Sequence, residues 1–85
     1  MAEEFTTHLK LIDSELEKVE SLIKSAKTHG DIVEAQRQLD ILRMFLREAA
    51  WLGGQKAFIV QCAKRLKIIH KLEGKMIDKY GNLPD

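Results

Sequence analysis

Apolar side chains step along the first third of this chain at intervals of four and three without a break: Phe5, Leu9, Ile12, Leu16, Val19, Ile23 and Ala26. That spacing follows the 3.6-residue turn of an α-helix and draws a narrow apolar seam of the coiled-coil kind. The only proline is Pro84, in the tail, so nothing breaks the pattern from within. Later segments repeat it with wider stripes. Ile32, Ala35, Leu39, Leu42, Leu46 and Ala49 share one side of a second helix, with Phe45 and Leu52 beside it, while Ile41, Met44 and Trp51 lie off the stripe. A third segment places Phe58, Ile59, Cys62, Leu66, Ile69, Leu72, Met76, Ile77 and Tyr80 within half the helical circumference, opposite Lys64, Lys67, Lys71 and Lys75. The periodicity predicts one all-α domain, an antiparallel three-helix bundle with helices over about 4–29, 32–52 and 55–80.

The connections carry their own signals. In "KTHGDIVE", Gly30 is the residue expected to close the first helix, Lys24, Lys27 and His29 suit its negative end, and Asp31 with Glu34 reads as an acidic capping box for the second. In "AAWLGGQKAFIV", Gly53 and Gly54 separate two apolar stretches. Two glycines inside a helix cost about 2 kcal/mol relative to alanine, which favours a turn there. The competing arrangement is a helical hairpin with one long kinked helix from Ile32 to Tyr80, which would have to dimerise. Gly81 and Pro84 mark the end of the third helix.

Charge is lopsided. Residues 1–40 carry nine acidic and five basic side chains, and residues 41–85 carry four and nine. Either the halves fold against each other and their fields compensate, or the basic half faces phosphate or an acidic partner. Lys56, Lys64, Lys67, Lys71 and Lys75 are the candidates for nucleic-acid or acidic-partner binding. No aromatic residues are interleaved with Lys64 to Lys75, as a stacking surface for single strands would need.

Glu73 sits at the centre of the third helix's apolar face, beside Ile69, Met76 and Ile77, and a buried carboxylate there needs a partner. Arg37 or Arg43 of the second helix is the expected one. Catalytic and metal chemistry find little support. Cys62 and His70 would stand about 12 Å apart along a helix, too far for a nucleophile and its base. His8, His29 and His70 form no spaced ligand pair, so no metal and no cofactor is expected.

The lone Cys62 and the acidic start "MAEEF", which is no signal peptide, read as a reduced, cytoplasmic chain. The stretch from Ile41 to Ala63 is apolar but interrupted by Arg43, Arg47, Glu48 and Lys56, so no membrane span or membrane partner is expected. An 85-residue chain removes only about 60% of its unfolded surface from water on folding. Fifteen of the 23 residues from Ile41 to Ala63 are apolar, more than one face of one small bundle needs, which predicts self-association there, most simply as a homodimer. Phe45, Trp51, Leu52 and Phe58 are the expected interface.

Two resemblances accompany these residues. Ala49, Leu52, Gly53, Ile59 and Cys62 occupy positions similar to the small, apolar, turn-glycine and core positions of a repressor-type helix-turn-helix, with Lys56, Gln61 and Lys64 projecting from a recognition helix. Glu48, Gly54 and the apolar Phe58 and Val60 depart from that pattern. The stretch "LKLIDSELEKVESLI" resembles the first helix of small all-helical chorismate mutases, which clasp a dicarboxylate with arginines. Here that helix has only Lys10, Lys18, Lys24 and Lys27, and lysine does not supply the bidentate fork. The sequence thus points to a small non-enzymatic interaction protein, an adaptor, inhibitor or regulatory subunit, that associates with itself and binds another protein. A DNA-binding regulator using residues 49–65 is the alternative.

Overall fold

The computed structural model describes residues 2–53 and 55–84, with side chains at 7–51 and 55–84. Three helices follow in order: α1 over Ala2–Ser25, α2 over His29–Gly53 and α3 over Lys56–Asn82, with no strand among the described residues. They pack side by side into a rod of 47 × 17 × 15 Å. The links between helices are too short for anything but reversal, so α2 runs antiparallel to α1 and α3. The bundle is therefore three-helical and antiparallel, and α2 ends at the glycine pair rather than continuing as one long kinked helix. The side chains of Phe5 and Leu52, and Gly54, on which part of those expectations rest, lie outside what is described.

The core is the seam read from the sequence. Leu9, Ile12, Leu16, Val19 and Ile23 of α1 meet Ile32, Ala35, Leu39 and Leu46 of α2 and Cys62, Ile69, Leu72 and Met76 of α3, all buried. Each large side chain among them contributes about 1.5–3 kcal/mol by leaving water. Ile59 and Ile77 fall outside this core, exposed, because the two neighbouring helices cover a narrower arc of α3 than the half-circumference its apolar residues occupy.

The first junction differs from the expectation. α1 stops at Ser25 instead of near residue 29, and Gly30 lies in the first turn of α2 instead of closing α1. The reason is a capping box set one turn earlier than Asp31–Glu34. The Asp31 N–H donates to the Thr28 Oγ1 (3.2 Å), and the Asp31 carboxylate accepts from the Thr28 N–H (3.2 Å) and the Lys27 N–H (2.9 Å). These reciprocal bonds satisfy orphan donors at the helix start. They also hold the Asp31 carboxyl below its ordinary value, chiefly through the Lys27 N–H and then the Thr28 N–H. At the other terminus α3 continues through Gly81 to Asn82. Leu83 then turns extended, φ −85° and ψ 143°, the conformation that a following proline enforces, and its N–H still bonds the Tyr80 carbonyl.

Candidate interaction surface

α2 has two apolar faces, and only one is used within the bundle. Ile32, Ala35, Leu39 and Leu46 point inward. On the opposite side Trp51 is 86% exposed, Met44 59%, Ile41 57% and Phe45 48%. Single exposed apolar residues are ordinary, but these are neighbours: Ile41 has Met44 three and Phe45 four positions on, on the same helix surface. The patch extends onto α1. Leu11, also exposed, lines with Ile41, Leu42 and Phe45 a groove of about 180 Å³ between α1 and α2. Of the residues expected to make contact, Phe45 and Trp51 are therefore exposed on one helix, and Leu52 falls outside the described side chains. Phe58 is half-buried and packs against the core, so only part of it faces outward.

The lysine face of α3 divides. Lys56, Lys64, Lys67 and Lys71 are exposed. Lys75 reaches Glu20 of α1 at 3.5 Å, and Lys79, in the last turn of α3, donates to the Lys24 carbonyl at the end of α1 (3.1 Å). Between α1 and α3 runs a larger groove, about 490 Å³, bordered by Asp13, Glu17 and Glu20 on one side and by Gln61, Lys64 and Arg65 on the other. Across it Arg65 makes a two-pronged bond to Asp13, Nε and one Nη each at 2.9 Å from a carboxylate oxygen, while the other Nη donates to the Gln61 carbonyl at 3.0 Å. Two pairs, Arg65–Asp13 and Lys75–Glu20, thus set the basic half against the acidic half between α1 and α3. Glu20 is held below the usual carboxylate range, first by the hydrogen bond from Lys24 and then by the Lys75 charge.

Glu73 has a partner inside the chain, the Arg43 guanidinium of α2, which also bonds Asp40 at 2.8 Å. Arg37 instead lies 3.8 Å from Glu34 on the surface. Glu73 is half-buried rather than buried, at 28% side-chain exposure. Its hydrogen bond raises the Arg43 pKa, against the burial that lowers it. Two further contacts leave no signal in the spacing of the residues. His29 stacks on Tyr80, ring centroids 4.0 Å apart, and its Nε2 lies 3.2 Å from the Tyr80 carbonyl, so Nε2 carries the proton.

Residues 49–65 do not take the crossing of a helix-turn-helix. That motif sets its helices at about 90–120°, whereas α2 and α3 lie antiparallel and packed along their lengths, tied at the far end by His29 and Tyr80. Cys62 occupies the core, where burial pushes its thiol up against a smaller opposing effect of Arg65. Among the described residues no cluster of histidine, cysteine or carboxylate side chains could hold a metal ion, and no helix is long and apolar enough to cross a membrane. Compared with protein-family models, with curated proteins and with solved structures, the chain matches none.

Proposed function

We propose that this chain is a small, non-enzymatic helical interaction protein that associates with itself through the outer face of α2 and presents the remaining surface to another protein, as an adaptor, inhibitor or regulatory subunit would. The observation that carries this reading is the exposure of Trp51 on the same outer side of α2 as Ile41 and Met44. Burying such side chains against a partner is worth about 1.5–3 kcal/mol each when complete, and aromatic residues and methionine are enriched at interface centres. The second protein would meet the exposed Lys64, Lys67 and Lys71, which suit an acidic surface.

A catalytic reading finds less support in the groove between α1 and α3. A dicarboxylate entering between α1 and α3 would meet Asp13, Glu17 and Glu20, and the arginine there, Arg65, is already clasped by Asp13. A chorismate turnover assay is expected to stay at the uncatalysed rate.

Sedimentation across a wide concentration range tests the proposal. The wild type is expected to gain mass as concentration rises, and Trp51→Glu to stay monomeric with unchanged helicity. A wild type that remains a monomer at the highest concentration would refute self-association. Duplex DNA binding that falls steeply with salt and is lost on charge reversal at Lys56 and Lys64 would replace this reading with that of a DNA-binding regulator.

A further inference from the structure

The outer face of α2 has an order of its own. Glu34, Arg37, Ile41, Met44, Glu48 and Trp51 follow one another at alternating intervals of three and four, a heptad seam. Helical geometry puts all six within roughly 100° of arc, on the side away from Leu39 and Leu46, and all six are exposed. The bundle uses one stripe of α2 and leaves this second one without a partner helix.

We propose that the seam pairs with the same seam of a second copy, α2 against α2 in antiparallel orientation, about a two-fold axis level with Leu42 and Arg43. This rests on the self-association reading and adds to it a surface, an orientation and a register. The charges choose the orientation. A parallel pair would set Glu34, Arg37 and Glu48 against their own copies, three like-charge layers. The antiparallel pair sets Ile41 against the partner's Met44 and Arg37 against the partner's Glu48, and two-fold symmetry makes each contact twice. The charges also choose the register. A slip of one heptad in one direction puts Arg37 against the partner's Ile41 and leaves Glu48 and Trp51 unopposed. A slip in the other direction puts Glu48 against the partner's Met44 and leaves Arg37 unopposed. In the central register the outermost layer brings Trp51 to the partner's Glu34, one turn from the partner's Arg37, whose guanidinium can then meet the indole face. Phe45 and Leu11 flank the apolar centre. Among the described residues Arg37 has only its loose surface contact to Glu34 at 3.8 Å, which leaves the guanidinium available.

Charge reversal at two exposed positions tests the pairing without touching the core. In the dimer formed by Arg37→Glu every Arg37–Glu48 contact becomes acid against acid, and in that formed by Glu48→Arg every one becomes base against base. Each single variant is expected to dimerise at least tenfold more weakly than wild type by sedimentation equilibrium, with an unchanged thermal melt at concentrations where all are monomeric. The double variant Arg37→Glu/Glu48→Arg restores the dimer, and an equimolar mixture of the two single variants forms a heterodimer. If the wild type is dimeric and the single reversals leave its affinity unchanged, the orientation and register are wrong although self-association stands. If the wild type never dimerises, both fall together.

Discussion

At the end of the rod where α1 finishes, α2 begins and α3 finishes, local contacts are dense. Thr28 and Asp31 cap α2, Lys79 covers the Lys24 carbonyl, His29 stacks on Tyr80, and Ile23, Ala26, Ile32 and Met76 are buried between them. At the end where α2 turns into α3, Gln55 begins its helix with no side-chain cap, the buried residues nearest the turn among those described are Leu46 and Cys62, and Met44, Phe45, Trp51, Ile59 and Val60 face outward. The first end thus concentrates contacts within the chain, although Val33, Ile77 and Tyr80 also face outward there, and the second has fewer such contacts and leads into the exposed apolar face of α2. Stability and contact should therefore respond to different substitutions.

The largest separation is expected between the two faces of α2. Leu39→Ala leaves a cavity in the core and should cost about 2–5 kcal/mol in urea denaturation. Met44→Ala, measured on monomer at low concentration, should stay within about 0.5 kcal/mol while weakening self-association. Equal losses would mean that the outer face is part of the fold. Next comes the link between α1 and α3. Arg65→Ala is expected to cost about 1–2 kcal/mol, since the guanidinium is largely buried and doubly bonded but Asp13 is half in water. Thr28→Ala should cost about 1 kcal/mol, the usual worth of an N-cap, and hydrogen exchange should place the loosening at the capped end.

Acid should act at that same end. Asp31 and Glu20 have folded-state values below their ordinary 3.8 and 4.5, so each contributes stability that is present above those values and is lost as pH falls through the lowered ones. Asp31→Asn should flatten the acid limb of the stability curve below about pH 4. The smallest effect concerns Cys62. Buried and shifted upward, it should react with a thiol reagent at the rate of unfolding, and fast labelling of the native chain would show that the core opens near Cys62.

The fold was legible because burial in a bundle follows periodicity: the α1 seam and the inward stripe of α2 became the core. The first junction was not, because Thr28 and Asp31 are both good capping residues and only the reciprocal bonds of a formed turn decide between them. Gly30 is ambiguous for the same reason, since a glycine after basic residues resembles a helix end whether or not the chain uses it. Arg65 and Asp13 stand far apart in sequence, and Arg65 is hidden beside a run of lysines, so only the packing of α1 on α3 reveals the pair. Ile41, Met44 and Trp51 were visible as residues off the stripe. Their alignment with Glu34, Arg37 and Glu48 became informative once the inward face was known and the outer one found unpartnered.

Trp51 is the sole tryptophan of the chain, so its emission reports on the very surface in question. The most direct measurement is its fluorescence and its quenching by acrylamide across a dilution series. A surface made for contact should give blue-shifted, protected emission at high concentration that becomes red-shifted and quenchable on dilution, at the same midpoint as the loss of mass. Emission that stays water-exposed and fully quenchable at every concentration would contradict the claim that the outer face of α2 is where this chain meets a second copy.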